Sequence, residues 1–209
     1  QLIEVLVPSG TTYNSVSVIN TTTGLIGYSR EPFLLSYGGS NPFLAASLVG
    51  QSDFDAESGL YDLCMCDLDG DGKVDIASAN DNANAISVFP NTSSGAGNIN
   101  FGKIPVLLNA RSIHIKCGDL NGDGKPDLVV SEGGDGSRIF VLQNGSSGVG
   151  NFSFVTLPPL VLTGRKTKRV EIADLDLNGK PEVIVTYQGS NIVTVLQNTS
   201  TVGSISFSA

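Results

Sequence analysis

The sequence predicts an all-β protein built from tandem units of four antiparallel strands. Three observations support this fold class: an acidic loop recurs at nearly fixed spacing, short β-rich runs flank each loop, and no long segment shows helical periodicity. The 25 glycines and the many Asn, Ser and Thr residues favour frequent turns. With 40% hydrophobic residues, the 209-residue chain can form the core of one domain or of part of a larger one.

The acidic loop occurs three times. It reads D-L-D-G-D-G-K-V-D from Asp67, D-L-N-G-D-G-K-P-D from Asp119 and D-L-D-L-N-G-K-P-E from Asp174. The offsets between these starting points are 52 and 55 residues. A repeat of this length is typical of solenoids, propellers and other arrays.

Each repeat predicts four short strands. One strand precedes the loop, a second follows it ("VDIASAN", "PDLVVSE", "PEVIVTY"), a third ends in asparagine ("AISVFPN", "RIFVLQN", "IVTVLQN"), and an aromatic strand follows a turn of small residues. Such units predict β-propeller blades, with a parallel β-helix as the alternative. The first residues fit strands two to four of a blade. We therefore expect about 3.75 blades: an incomplete blade over 1–35, a blade with a long inserted loop over 36–107, and blades over 108–160 and 161–209.

The spacing within each loop predicts a calcium site. Oxygen ligands at positions 1, 3, 5 and 9, with a backbone carbonyl at position 7, can surround a cation that takes about 6–8 oxygens, and glycine at position 6 permits the turn. The predicted ligands are Asp67, Asp69, Asp71, Lys73 and Asp75 in the first loop, Asp119, Asn121, Asp123, Lys125 and Asp127 in the second, and Asp174, Asp176, Asn178, Lys180 and Glu182 in the third. Glu182 is one methylene longer than aspartate, so the third site differs most.

A helix-loop-helix calcium site is excluded at all three loops. Such a site needs a bidentate acid at position 12, where this chain has Ser78, Val130 and Val185. Apolar β-formers follow each loop, so we expect the loop to join two adjacent strands. Solvated turns without a cation are the alternative interpretation, because Asp and Gly favour turns.

The charge distribution agrees with cation binding. Ten of the 20 acidic residues lie in the three loops, and three bound divalent ions would change the formal net charge from −8 to −2. The negative charge argues against nucleic acid as a partner. We expect structural ions with dissociation constants on the order of 10⁻⁴–10⁻³ M, as in extracellular modules.

The pattern D-x-[DN]-x-[DN]-G-K-x-[DE], followed by a strand and later by an aromatic strand, resembles the FG-GAP or VCBS-type repeat. The resemblance covers essentially the whole chain. It implies calcium-binding blades of an integrin-α-like propeller, which usually has seven blades. It also implies an extracellular, non-enzymatic module for adhesion, recognition or surface assembly. The alternatives are a lectin-type carbohydrate-binding propeller and an accessory propeller of a secreted polysaccharide-degrading enzyme.

The expected partners are proteins or glycans on the cell surface or in the matrix. Self-assembly, or the remaining blades of a longer parent chain, would complete the ring, and no direct membrane insertion is expected because no apolar run reaches 18 residues. The sequence begins at Gln1, without an initiator Met and without a signal-peptide pattern, so we expect a mature product or a fragment.

The connections at the end of the blades opposite the acidic loops are candidates for ligand binding. The long connection before the first acidic loop carries Tyr37, Asn41, Phe43, Asp53, Asp55 and Glu57, and the last blade-to-blade connection carries Arg165, Lys166 and Lys168. Long loops in compact repeats are often functional. A packing insert and a solvated basic loop are the alternatives.

The remaining polar residues predict structural roles. His114 has no visible nucleophile or metal partner, and no catalytic motif is apparent in the sequence. Cys64, Cys66 and Cys117 are expected as free, buried thiols, with a bridge from Cys64 or Cys66 to Cys117 as the alternative. N-x-S/T sequons predict glycosylation in a eukaryotic secretory protein, and simple turn formation is the alternative. The asparagines concerned are Asn20, Asn91, Asn144, Asn151 and Asn198.

Overall fold

A computed structural model describes residues 17–19, 26–28, 52–95 and 98–208. The chain divides into two compact units, Gln1–Gln51 and Ser52–Ala209. In the first unit, β1 (Ser17–Ile19) pairs antiparallel with β2 (Ile26–Tyr28). These two strands lie within the stretch predicted as an incomplete blade.

The second unit contains three antiparallel sheets in chain order. Sheet I comprises β3 (Leu60–Cys66), β4 (Asp75–Asn80), β5 (Ala85–Phe89) and β6 (Ile104–Leu107). Sheet II comprises β7 (Ser112–Gly118), β8 (Asp127–Glu132), β9 (Arg138–Asn144) and β10 (Phe154–Thr156), and β11 (Leu160–Val161) also pairs with β9. Sheet III comprises β12 (Thr167–Ala173), β13 (Glu182–Tyr187), β14 (Val193–Asn198) and β15 (Phe207–Ser208).

The all-β prediction is confirmed for the described part of the chain. It contains no helix, and consecutive strands within each sheet pair in chain order, except that β11 pairs with β9 and not with β10. Every strand pairing among the described residues is antiparallel. The alternative of a parallel β-helix is therefore wrong. Within the described ranges, no helix is long and apolar enough to span a bilayer.

The sheets pack face to face, and this packing explains the apolar second strands. In β8, Leu128 and Val130 belong to a core cluster shared with sheet I, whereas Val129 belongs to a cluster shared with sheet III. All three side chains are fully buried. Because the strand is covered on both faces, its sequence is nearly continuous in apolar residues instead of alternating.

The first strands of the three sheets are neighbours, since β7 contacts both β3 and β12. His114 lies between them. Its Nε2 atom is 3.3 Å from a carboxylate oxygen of Asp62, and its Nδ1 atom accepts a hydrogen bond from the Val170 amide at 3.4 Å. Burial lowers the pKa of His114 despite the nearby Asp62 carboxylate. The imidazole thus connects three adjacent strands.

A disulfide joins Cys66, at the end of β3, to Cys117, near the end of β7. The expectation that both thiols are free is wrong, and the alternative of a bridge to Cys117 is confirmed. The two Cα atoms are 6.7 Å apart because the ends of the first strands of sheets I and II face each other. Cys64 remains free, and burial raises the pKa of its thiol to about 12.

Candidate metal centres

The first acidic loop closes around the carboxylate of its first residue. Asp67 Oδ1 accepts hydrogen bonds from the amides of Gly70 (2.8 Å) and Asp71 (3.1 Å), and Oδ2 accepts one from Gly72 (2.8 Å). Gly70 and Gly72, at positions 4 and 6, have φ angles of 78° and 83°. Glycine adopts this left-handed conformation without steric cost, which explains the G-x-G spacing. The second loop repeats the same three bonds around Asp119.

The third loop keeps this shape with a leucine at position 4. Leu177 has a φ of 62° and is 87% exposed. Asp174 still accepts hydrogen bonds from the amides of Asn178 (3.1 Å) and Gly179 (2.9 Å). The loop conformation is therefore retained in spite of a backbone geometry that is unfavourable for a residue with a Cβ atom.

Two of the loops gather carboxylate oxygens at metal-binding distances. Asp67, Asp69 and Asp71 each offer an oxygen, and these oxygens lie within 4.8 Å of one another. In the third loop Asp174, Asp176 and Glu182 do the same. The second loop has an amide at position 3, and Asn121 Nδ2 lies 3.3 Å from a carboxylate oxygen of Asp123.

The carboxylate at position 9 of the first two acidic loops also connects the loop to the end of the third strand through hydrogen bonds. Asp75 accepts hydrogen bonds from the amides of Leu68 and Asn91, both at 2.8 Å, and lies outside the oxygen cluster of the first loop. Asp127 accepts the equivalent bonds from Leu120 (3.0 Å) and Asn144 (2.9 Å). Burial raises the pKa of Asp75, and it raises that of Asp127 to about 6. These carboxylates thus tie the acidic loop to the end of the third strand.

Glu182 provides the observation that best fits a bound cation. Its Oε2 atom accepts a hydrogen bond from the Leu175 amide at 2.9 Å, whereas its Oε1 atom is buried without a hydrogen-bond partner. A buried carboxylate oxygen without a partner is costly. Because this side chain belongs to the cluster with Asp174 and Asp176, a cation there would supply the missing interaction.

Position 7 of each acidic loop is a lysine whose backbone carbonyl is the predicted ligand. The side chains of Lys73 and Lys125 contact other groups. Lys73 Nζ lies 3.4 Å from Asp71, so it partly offsets the charge of that carboxylate. Lys125 Nζ donates to the Ser146 carbonyl at 2.7 Å. Lys180, in the third loop, is exposed.

Each of the first two acidic loops contacts the sheet that follows it in the chain: sheet II contacts the first loop, and sheet III contacts the second. The side-chain amide of Asn144 donates to the carbonyls of Leu68 and Pro126, both at 2.9 Å, and Asn198 donates equivalently to Leu120 and Pro181. The Gly150 amide also reaches Asp69 Oδ2 at 2.5 Å. We call the contact from Asn144 or Asn198 to the preceding loop the asparagine latch.

The latch bears on part of the glycosylation prediction. Asn144 and Asn198 are only 1% and 4% exposed, and both hydrogens of each side-chain amide are donated to carbonyls. These buried side chains do not fit the glycosylation predicted for Asn144 and Asn198, because both amides lie under the turn. Asn91 is half-buried, Asn151 is exposed, and Asn20 lies outside the described residues.

The same geometry explains why the N-x-S pattern recurs. Oδ1 of Asn144 accepts a hydrogen bond from the backbone amide of Ser146, and Asn91 and Asn198 bind Ser93 and Ser200 in the same way. This is an Asx-type turn. Sequence reasoning recognised the turn but missed the inter-sheet contact, although the constant position of the asparagine at the end of each third strand was the available signal.

Four of the predicted ligand-binding residues contact different partners within the described part of the chain. Tyr37, Asn41 and Phe43 lie outside the described residues. Asp53 and Asp55 are exposed, and Glu57 forms an ion pair with Lys103 at 3.2 Å. In the basic cluster, Lys166 pairs with Asp135 at 2.5 Å, Arg165 lies over the ring of Tyr187, and Lys168 lies over that of Tyr61.

Comparison with known families agrees with the geometry of the loops. The model of the FG-GAP-like repeat matches the chain twice, over residues 67–130 and 119–185. Each match begins at the first aspartate of one acidic loop and ends in the strand after the next loop. No significant match was found to a curated protein or to a solved structure. Together the two matches span more than half of the sequence, and the chain therefore belongs to the FG-GAP-like repeat family.

Proposed function

We propose that this protein is an extracellular, non-enzymatic module whose sheets are blades of a calcium-stabilised propeller. The observation that carries the proposal is the set of recurring oxygen clusters, above all the unpartnered buried Oε1 atom of Glu182. Calcium prefers such oxygen ligands. Bound ions would neutralise carboxylates that otherwise repel one another across each loop.

The residues that would hold the ions are the carboxylates of each loop and the carbonyl at position 7. Asp67, Asp69 and Asp71 would supply the first site, and Asp174, Asp176 and Glu182 the third. The second site would use Asp119 and Asp123 with the side-chain oxygen of Asn121. The role of these ions is structural: they would fix the bend between the first and second strands of each sheet.

The disulfide supports an extracellular location. Structural disulfides persist in oxidising compartments and are rare in the cytosol. The Cys66–Cys117 bridge joins two sheets directly before their acidic loops.

The propeller arrangement is supported by the stacking of consecutive sheets through adjacent first strands. We infer about 3.75 blades of a ring that usually has seven. The connections opposite the acidic loops, around 52–57 and at Arg165, Lys166 and Lys168, would contact a protein or glycan on the cell surface or in the matrix. Such contacts would serve adhesion, recognition or surface assembly. A glycan array would distinguish a sugar partner from a protein partner.

Calcium titration tests the proposal directly. We expect millimolar calcium to raise the melting temperature of chelator-treated protein, and calorimetry to show dissociation constants on the order of 10⁻⁴–10⁻³ M. Glu182→Gln and Asp71→Asn should each remove one site and reduce the shift in melting temperature.

Asp55→Asn is the matched control, because it removes an exposed acid outside the three loops. This variant should respond to calcium like the unmodified protein. An identical melting temperature in excess chelator and in millimolar calcium would contradict calcium binding.

A further inference from the structure

The sequence contains three Asn-Gly pairs, which begin at Asn121, Asn144 and Asn178. In such a pair, the backbone nitrogen of the glycine can attack the side-chain carbonyl carbon of the asparagine, because glycine has no Cβ atom to obstruct the approach. The attack leads to deamidation, in which the side-chain amide is lost as ammonia. The folded structure decides which of the three asparagines can react in this way.

The three pairs have the same local turn. In each of them, the asparagine Oδ1 atom accepts a hydrogen bond from the backbone amide two residues later. The donors are Asp123 (3.0 Å), Ser146 (2.9 Å) and Lys180 (2.8 Å). The pairs therefore match in sequence and in this hydrogen bond, and they differ mainly in what covers the asparagine side chain.

Two of the asparagines are covered. Asn144 is 1% exposed and donates both of its amide hydrogens to carbonyls through the asparagine latch. Asn121, at position 3 of the second acidic loop, is 3% exposed. At the same position of the first loop, Asp69 is 8% exposed and accepts a hydrogen bond from Gly150 of the following sheet. Position 3 is thus buried in both loops on which a described sheet packs.

Asn178 lies at position 5, which a following sheet leaves accessible. Asp71 and Asp123 occupy this position in the first two loops, and both are half-buried although the next sheet contacts each loop. Among the described residues, the hydrogen bonds and ion pairs of these two side chains all join them to their own loop. Access to Asn178, which is exposed, therefore does not depend on whether another sheet follows sheet III.

The acidic loop also polarises the atoms that would react. The Lys180 amide donates to Asn178 Oδ1 and withdraws electrons from the carbonyl carbon under attack, as a donor of an oxyanion hole does. The Gly179 amide, whose nitrogen is the nucleophile, donates to Asp174 Oδ2 at 2.9 Å. A Cβ atom added at Gly179 would meet nothing within 4 Å, so the space beside the nucleophile is open.

We propose that Asn178 is a site of spontaneous deamidation, which completes the carboxylate set of the third acidic loop. The Gly179 nitrogen forms a bond to Cγ of Asn178, the Cγ–Nδ2 bond breaks, and the Gly179 amide proton passes through solvent to the ammonia that leaves. Water then opens the resulting succinimide. Opening at Cγ gives aspartate, and opening at the main-chain carbonyl gives isoaspartate.

Aspartate at position 178 fits the loop, because the first two loops already have aspartate there, with the equivalent hydrogen bond from the amide of the position 7 lysine (2.8 and 3.0 Å). Conversion removes the bond from Asn178 Nδ2 to Asp176 (2.9 Å) and raises the number of carboxylates in the loop from three to four. More ligand charge strengthens calcium binding, whereas the empty loop gains repulsion. This effect on calcium rests on the proposed function, and the deamidation itself does not.

Peptide mapping by mass spectrometry, over a time series at mildly alkaline pH, tests the reaction. In the folded protein with chelator, Asn178 should convert at least about tenfold faster than Asn121 and Asn144, because the two buried asparagines react only after local opening. In concentrated urea, where this cover is lost, the three should convert at similar rates. Calcium should slow the conversion of Asn178, because a bound ion holds the loop closed.

Variants at the same position test the consequence for calcium. Asn178→Asp carries the carboxylate of the product from the start, so it should bind calcium at the third loop about tenfold more tightly, measured by calorimetry. Its melting temperature in chelator should be lower than that of the unmodified protein. Asn151→Asp is the matched control, because it adds the same charge at an exposed asparagine outside the acidic loops, and it should leave calcium affinity unchanged.

Three results would overturn the proposal. The first is an intact Asn178 in the folded protein after the time in which the chain in urea has converted. The second is equal conversion of the three asparagines in the folded protein. The third is isoaspartate as the sole product, which would leave the loop without its fourth carboxylate. Conversion of Asn178 at one rate with calcium and with chelator would support the deamidation and contradict only the calcium site.

Discussion

Leu177 has a backbone conformation that is unfavourable for a residue with a Cβ atom. It occupies a left-handed conformation that glycine provides in the other two acidic loops. We expect Leu177→Gly to raise the free energy of unfolding by about 0.5–1 kcal/mol, because relief of a cost of about 1–2 kcal/mol is partly offset by the greater entropy of the unfolded glycine chain. Urea denaturation measures the change.

The reverse substitution provides the control. A Cβ atom added at Gly70 would meet nothing within 4 Å, so Gly70→Leu changes the backbone preference without a steric clash. It should lower the free energy of unfolding by about as much as Leu177→Gly raises it. A Leu177→Gly variant that is less stable than the unmodified protein would contradict this account of the loop.

At the scale of elements, the asparagine latch fixes sheets II and III to the acidic loop of the sheet before each of them. Asn144→Ala removes the inter-sheet hydrogen bond to Leu68, the bond to Pro126 within sheet II and the bond accepted from the Ser146 amide. We expect a loss of about 2–3 kcal/mol in the free energy of unfolding, measured by urea denaturation, and a similar loss for Asn198→Ala.

Asn151→Ala is the control for the latch, because Asn151 belongs to the same kind of sequon but is exposed and donates only to the nearby Ser147. It should change stability by less than about 0.5 kcal/mol. Equal effects at positions 144 and 151 would show that the inter-sheet bond to Leu68 contributes little.

The strands and loops were predictable because the repeat displays them three times. Pattern and turn chemistry placed the loop between the first and second strands of each sheet, and β4, β8 and β13 follow the three loops as expected. The latch was not predictable, since an N-x-S sequence has the same composition in an exposed turn as in one that binds a neighbouring sheet. Only the three-dimensional stacking places the Leu68 carbonyl next to Asn144.

For the whole molecule, the disulfide restricts the unfolded chain. Cys66 and Cys117 are separated by 51 residues, and a disulfide typically stabilises a fold by about 2–4 kcal/mol because it restricts the unfolded chain. We expect a reductant to lower the free energy of unfolding by this amount, measured by urea denaturation in matched buffers.

The double variant Cys66→Ser/Cys117→Ser tests whether this bridge is responsible. It should have about the stability of the reduced protein and should not respond to reductant. A further loss of stability on reduction of the double variant would contradict the assignment. The pairing itself could not be predicted, because three cysteines allow several bridges and only the register of β3 against β7 selects one.

The latch also bears on how the number of sheets can change during evolution. Its acceptors are main-chain carbonyls, and its donor is an asparagine carried by every described repeat, so an in-frame duplication of one repeat would bring both halves of the connection with it. Addition or loss of an entire repeat would then disturb the architecture less than many substitutions inside one, which allows the length of the array to vary between lineages.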